Sequence, residues 1–348
     1  MFETRITKIL GIKHPIVMSG MTYVSLPKLV AAVSNAGGLG IYATSDQTAD
    51  EVRESIRLIR SLTDKPFGAN IPLLLPGADK LLQVLVDEKV PVVNYSLGKA
   101  SEVAKAVHKY GGLVIGSVTY LRHAISAERG GADAVIVIGH EAGGHLGELS
   151  TLVLIPLVTS EVKIPVIAAG GFCDGKGLAA ALALGAEGIS MGTRFILTKE
   201  SMIHQRMKQL ILESNGENTI ATDRFDGIPC RFLKGEGLTS MIEKQISIKD
   251  VMNSAFRVKQ IQGVSIWDML GSALKLRSAG IPVQRVGDIA SGITAIKAGI
   301  IDGDDKHGVY TCGQVAARIE EAPSCSELIE RIVTEAEEVL GIMSGKLV

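Results

Sequence analysis

Over its first two hundred residues the chain alternates short apolar runs with longer segments whose apolar positions recur at three and four. The runs are 15–20, 39–43, 67–71, 91–95, 113–117, 134–138, 165–170 and 188–192. They return roughly every 25 residues, the pitch of a βα unit. Each run is continuously apolar, as in 134–138 (Ala-Val-Ile-Val-Ile), and does not alternate with polar residues. That pattern suits strands covered on both faces, hence a parallel sheet. Helical spacing fills 26–36, 49–62, 101–109, 120–129, 151–159 and 177–184. The first of these stops at Gly37-Gly38, a C-cap signal. In the second, Val52, Ile56 and Ile59 mark one face and charges the other. Eight such units without a break in strand order predict a (β/α)8 TIM barrel. A doubly wound sheet has fewer strands and a phosphate loop after the first.

Beyond residue 200 the pattern changes. Clean strand runs stop, and amphipathic stretches at 203–212, 241–248, 266–278 and 289–298 are separated by turns such as Asp226-Gly227-Ile228-Pro229. A second, smaller, mainly helical domain over 201–311 is expected, placed as a lid over the barrel mouth. Residues 1–200 and 312–348 are assigned to the barrel. The stretch 313–341 reads as an amphipathic helix pair that packs back on it.

Composition narrows the function class. The chain has 348 residues, 46% hydrophobic and 21% charged, which is globular material for a large core. A net charge of -1 and the lack of any basic run argue against nucleic acid and anionic membrane surfaces as partners. No signal segment and no apolar stretch of spanning length is visible, so a cytoplasmic enzyme is expected. Cys173, Cys230, Cys312 and Cys325 are scattered without a CxxC pair, so they read as reduced, buried thiols.

Candidate chemistry lies at the strand ends, because the C-terminal face of such a barrel carries the active site. Strand one ends Ser19-Gly20-Met21, strand three at Asn70, strand four at Asn94-Tyr95-Ser96 and strand five at Ser117. Strand seven ends Ala169-Gly170-Gly171 and strand eight Met191-Gly192-Thr193. Glycines and small polar residues dominate, which allows close backbone approach to a ligand. Taken singly these glycines read as tight turns. As a pair of loops after strands seven and eight they read as a phosphate pocket, with the helix opened by Asp174-Gly175-Lys176-Gly177 behind them.

The loop after strand six, His140-Glu141-Ala142-Gly143-Gly144-His145-Leu146-Gly147-Glu148, holds two histidines, two carboxylates and three glycines. The histidines lack the i, i+4 register and nearby cysteines of a zinc site, so no metal is expected. An imidazole can instead move a proton beside a bound ring. His145 follows two glycines, which would let it swing over such a ring. His140 reads as support, hydrogen-bonded to Glu141.

At these residues the chain resembles the nitronate monooxygenase (2-nitropropane dioxygenase-like) family. Its Glu-Ala-Gly-Gly-His-x-Gly signature is matched by Glu141 to Gly147. Further motifs lie at 15–21, 36–40, 64–70, 165–171, 191–195 and 313–316. The family includes flavin-type enoyl-acyl-carrier-protein reductases and NAD(P)H:quinone reductases. The resemblance implies a TIM barrel with non-covalent FMN and a helical lid. It places Gly20, Met21 and Asn70 by the isoalloxazine, Gly170, Gly171, Gly192 and Thr193 at the phosphate, and makes His145 catalytic. Ser19, Ser117, Ala142, Gly143, Gly144, Ala169 and Met191 complete the expected cofactor shell. Ser19-Gly20-Met21 departs from the Ala-Pro-Met common in nitronate monooxygenases and is closer to the Gly-Gly-Met of the reductases. Residues 223–229 and 322–325 resemble a subgroup acting on acyl-CoA esters in steroid-ring breakdown.

The leading expectation is therefore an FMN-dependent oxidoreductase that oxidises alkyl nitronates with O2. The alternative is a reductase of enoyl thioesters or quinones, with NADH or NADPH as reductant. A non-catalytic flavin carrier would not need His145. Arg224, Arg231, Lys234, Lys244, Lys249 and Lys259 read either as a basic mouth for an anionic arm or as a solvated face. The partners expected are a small-molecule substrate and, from the frequency of twofold symmetry, a second copy in a homodimer.

Overall fold

The computed structural model describes residues 2–45, 47–75, 77–225, 227–243 and 285–346. Residues that cannot leave backbone polar groups unpaired in a dry interior pair strand to strand. The apolar runs accordingly become β1 (Ile16–Met18), β2 (Leu39–Ala43), β3 (Phe67–Pro72), β4 (Val92–Ser96), β5 (Leu113–Val118) and β6 (Ala134–Ile138). A two-residue strand, β7 (Gly144–His145), follows, then β8 (Val166–Ala169) and β9 (Gly188–Met191). All but β7 form a closed parallel barrel in the order β1-β2-β3-β4-β5-β6-β8-β9. Closure is by β1 on β9, with Ile16 opposite Ile189 and Met18 opposite Met191. The eight-stranded barrel read from the sequence is the observed fold.

Alternation along each strand sorts the side chains. Val17, Ile41, Val92, Ile115, Ile136 and Ile167 point inward and form the barrel's inner core. Their neighbours, such as Met18, Tyr42, Val93 and Val114, face the helices. The helix Arg5–Leu10 adds Ile6 and Leu10 to the inner core. Arg5 anchors it to the start of β9 through Glu187, and to the carbonyl of Lys163 before β8 at 2.7 Å, so this helix closes the N-terminal end. The opposite end stays open for a site.

The outer layer contains one helix the sequence reading passed over, Ala78–Asp87. Its buried positions Ala78, Leu81, Val84 and Leu85 have helical spacing, but they merge with the preceding Leu73-Leu74-Leu75. The expected C-terminal helix pair is instead a 3-10 turn, Gln314–Arg318, and one long helix, Cys325–Ser344. Pro323 and a capping box between Ser324 and Glu327 fix where that helix starts. It packs on Gly175–Ala183 and Pro27–Asn35, as an outer helix of the barrel.

Between residues 201 and 311 the structure differs from a purely helical lid. The helices Gln205–Leu212, Glu236–Glu243 and Arg285–Ile300 are present, while 244–248 of the expected 241–248 stretch and all of 266–278 lie outside the described residues. Two short strands, β10 (Thr219–Thr222) and β11 (Cys230–Leu233), were not expected. At four residues each they are too short for a period to show. Together with β7 they make a three-stranded antiparallel sheet in the order β10-β11-β7. Under it Phe225, Cys230, Phe232, Leu238 and Val309 form a satellite core, with the two phenylalanine rings 4.8 Å apart. Among the described residues no helix is long and apolar enough to cross a membrane.

Candidate active site

At the open end, moving two residues along an inward-facing register takes β1, β4, β5 and β9 from apolar or glycine to polar, whereas β2, β6 and β8 stay apolar at Ala43, Ile138 and Ala169. Val17 gives way to Ser19, Val92 to Asn94, Ile115 to Ser117, and Gly188 to Ser190. Asn70 occupies the same level on β3. These side chains pair between neighbouring strands. Asn70 Nδ2 donates to Asn94 Oδ1 at 2.7 Å, and Asn94 Nδ2 donates to the Ile115 carbonyl and to Ser117 Oγ, both at 3.0 Å. Ser19 Oγ and Ser190 Oγ lie 2.8 Å apart. A cavity of about 290 Å³ rises above this floor, at the lower end of ordinary ligand-pocket volumes. The expected cofactor shell and His145 line it: Ser19, Gly20, Met21, Asn70 and Ser117 on one side, Ala142 to His145 on the β6 loop, and Ala169 to Gly171 with Met191 to Thr193 on the other; Tyr95 and His140 do not.

The glycines are there for backbone proximity. A Cβ on Gly20 would sit 2.6 Å from Asn70 Cβ. Gly170 and Gly171 take φ of 97° and 86°, which L side chains rarely adopt. The helix N-terminus expected behind them is already occupied. Asp174 accepts from Gly177 N at 2.9 Å, and Glu335 accepts from Gly175 N at 2.7 Å. The donors this half of the cavity presents are those of the glycine turn itself and of Gly192 and Thr193, which open a helix at Thr193–Ile196 with no side-chain cap.

The β6 loop is fixed from three directions. Glu141 caps the helix Thr151–Thr159 from outside, accepting from Thr151 N at 2.9 Å and from Thr151 Oγ1 at 2.8 Å. The same hydroxyl lies 2.9 Å from the Gly170 carbonyl, tying this loop to the glycine turn. His140 Nδ1 lies 2.8 Å from the Gly147 carbonyl, so the ring donates there and not to Glu141 as expected. The third anchor is Arg231 on β11, 3% exposed. Its guanidinium donates to the His140 carbonyl at 3.0 Å and to Thr219 Oγ1 at 3.2 Å. Burial pushes its pKa down, opposed by attraction to Glu141. Arg231 is thus an internal staple and not part of a basic mouth. Arg224 and Lys234 are exposed, whereas Lys244, Lys249 and Lys259 lie outside the described residues.

The backbone of His145 is held in a strand. It pairs with Cys230 in the β7–β11 ladder, and Leu146 N donates to the Pro229 carbonyl at 3.0 Å. The imidazole is half-buried and lines the cavity. The sequence reading missed the outer wall and the C-terminal contribution. Phe225 and Ile296 form an apolar wall, and Thr311, Gly313 and Val315 close the cavity between the two halves. Gly313 N donates to Thr193 Oγ1 at 3.0 Å, and Gln314 N to the Glu141 carbonyl at 3.0 Å. The motif at 313–316 was the available signal, since a Gly-led motif so far from the barrel needs a packing reason.

The chain matches the family model described as nitronate monooxygenase over residues 3–81 and 75–335. A (3aS,4S,5R,7aS)-5-hydroxy-7a-methyl-1-oxo-octahydro-1H-indene-4-carboxyl-CoA dehydrogenase from Mycobacterium tuberculosis is 38% identical, covering 96% of both chains. A probable nitronate monooxygenase from Staphylococcus saprophyticus is 32% identical over 71% of this chain and 83% of its own length. Among solved structures, FabK from Thermotoga maritima superimposes with a TM-score of 0.83 at 36% identity, covering 100% of both chains. Nitroalkane oxidase from Streptomyces ansochromogenes does so with a TM-score of 0.76 at 28% identity, covering 97% of this chain and 99% of that one. With its signature loop, barrel and cavity in place, this oxidoreductase belongs to the nitronate monooxygenase family.

Proposed function

We propose that the protein is an FMN-dependent oxidoreductase whose substrate is an acyl thioester of coenzyme A. The observation that carries the cofactor half is the division of one cavity into a glycine-lined side at β8 and β9 and a histidine-bearing side on the β6 loop. The residues fit FMN. Gly20 leaves no room for a Cβ beside Asn70, so the backbone itself can face a flat ring. Gly170, Gly171, Gly192 and Thr193 offer backbone N–H groups where this fold takes phosphate. Bound FMN would supply reversible hydride acceptance and donation.

The chain's own residues would do the rest. Asn70 and Ser117, held by Asn94 between them, would orient the ring. Phe225 and Ile296 exclude water from above and give an apolar acyl group a surface. The His145 imidazole, held by β7 and β11, moves the substrate proton, as histidine can in either direction near neutral pH. The thioester assignment is favoured over the nitronate because the wall residues Phe225 and Ile296 lie beyond the barrel strands, and the likeness to the CoA dehydrogenase relative spans nearly the full length of both chains. Nitronate oxidation in air stays as the second reading, favoured by the 32% identity to a probable nitronate monooxygenase.

Purified protein should be yellow and release about one FMN per chain. His145→Ala should keep FMN and slow turnover by about 10²-fold or more. Anaerobic mixing with acyl-CoA thioesters, and separately with NADH or NADPH, should change the flavin absorbance. Colourless protein that takes up no FMN refutes the cofactor. Turnover of a nitronate in air, with no flavin response to any thioester, would move the assignment to the second reading.

A further inference from the structure

The polar layer on the cavity floor has a direction, and that direction follows from one backbone atom. The Ile115 carbonyl can only accept, so the Asn94 amide must turn its nitrogen toward it, at 3.0 Å. The second hydrogen of that nitrogen goes to Ser117 Oγ, also at 3.0 Å. Asn94 Oδ1 is then forced to the opposite side, toward β3, where it accepts from Asn70 Nδ2 at 2.7 Å. The same Asn70 nitrogen lies 3.3 Å from the Asn94 carbonyl, a second acceptor. Both arguments fix the Asn70 amide with its nitrogen toward β4. On the β2 side Thr44 Oγ1 donates to the Asn70 carbonyl at 2.8 Å and holds the strand end in place. Asn70 and Asn94 are 8% and 2% exposed, so an amide turned the wrong way here would bury unpaired polar atoms.

The consequence lies at the two ends of the row. Asn70 Oδ1 is the amide atom left over, an acceptor. At Ser117 the oxygen is engaged by Asn94, and its hydrogen reaches Asn94 Oδ1 only at a long 3.4 Å, so among the described residues it remains a donor toward the cavity. Both residues line the cavity. We propose that Asn94 is a positioning residue that sets the polarity of the cavity floor, so that Asn70 presents an acceptor and Ser117 a donor. The ligand class this selects is a planar heterocycle carrying an N–H and a carbonyl or imine acceptor on its edge. A ring with acceptors at both positions is disfavoured. This rests on the flavin reading of the site, since the flavin's pyrimidine ring belongs to that class. Asn94 acts through Asn70, so its role is separable from simple packing.

The test is a double-mutant cycle on FMN affinity, measured by fluorescence quenching on apoprotein reconstituted with FMN, together with the position of the bound flavin's absorption bands. Asn94→Val frees the Asn70 amide to rotate and is expected to weaken FMN binding about tenfold, equivalent to about 1.4 kcal/mol, with a shifted band. In an Asn70→Ala background the same substitution is expected to add less than twofold, because the group it orients is gone. Asn94→Ala, which packs more loosely, is run in parallel should Asn94→Val not fold. An unchanged affinity in either single variant, or a tenfold loss that persists in the Asn70→Ala background, overturns the proposal. Wild-type protein that binds no FMN refutes the flavin reading instead, before any variant is compared.

Discussion

Gly143 and Gly144 are neighbours on the β6 loop, and they need glycine for different reasons. A Cβ on Gly143 would lie 2.6 Å from the backbone carbon of Cys312 and from the Gly313 nitrogen. Neither atom is the end of a flexible side chain, so one backbone segment has to retreat by about 0.8 Å to reach ordinary contact. Overpacking of this kind costs roughly 1–3 kcal/mol. Gly144 meets nothing within 4 Å, but its φ of 73° is left-handed. Alanine there costs about 1 kcal/mol through strain alone. Gly143→Ala should therefore lower the melting temperature and also displace His145, two residues along. A misplacement near 1 Å can cost about 10² in turnover. Gly144→Ala should lower the melting temperature with a smaller loss of turnover, and Gly144→Asn should recover part of the stability, because asparagine tolerates that φ. Thermal melts and kcat on the same preparations give the comparison. If Gly143→Ala melts and turns over like wild type, the contact with the 312–313 segment does not position the loop. If Gly144→Asn melts below Gly144→Ala, strain is not what glycine relieves there.

Two further outcomes follow from buried charge. Arg231→Met leaves the His140 carbonyl and Thr219 without their donor and should lower stability by about 1–3 kcal/mol, with kcat falling more than FMN affinity. A more stable variant would mean that relief from burying the cation outweighs the lost hydrogen bonds. His14 is 8% exposed with Nδ1 unpartnered, and burial, followed by repulsion from Lys13, pushes its pKa below the ordinary value. The unfolded chain then takes up a proton that the folded one resists, so this contribution is present above about pH 6.5 and is lost as pH falls below it. His14→Gln should flatten the drop in melting temperature between about pH 7 and pH 5.5, and an unaltered slope would refute that.

The barrel was legible because its strands are continuous apolar runs that need no partner to be recognised. The cavity was legible because position at a strand end is itself information in this fold. What stayed hidden depended on contacts distant in sequence. β7 is a glycine and a histidine, with no β-branched or aromatic residue to announce a strand. It exists because β11 pairs with it. Arg231 looked like a surface cation until that pairing put its guanidinium under the His140 carbonyl. Phe225 and Ile296 are two apolar residues among many, and only the packing of their segment marks them as cavity wall. Asn94 gave a signal that was noticed and not used: an asparagine closing an apolar run is poor strand material, so something must hold it there.

The ladder between β7 and β11 also sets an order of assembly. The last barrel strand ends at Met191, whereas β11 begins at Cys230 and the segment that locks onto Glu141 and Thr193 begins at Gly313. On a ribosome, which releases the chain from its N-terminus, every barrel strand is available before the two distant partners of the β6 loop, β11 and the Gly313 segment, have been made. The barrel strands can pair while the histidine loop has its contacts to Gly147 and Thr151 but not yet those to β11 and Gly313. The histidine loop therefore gains its distant anchors only after all the barrel strands have been made. Conditions or truncations that spare the barrel's secondary structure can still abolish ligand binding.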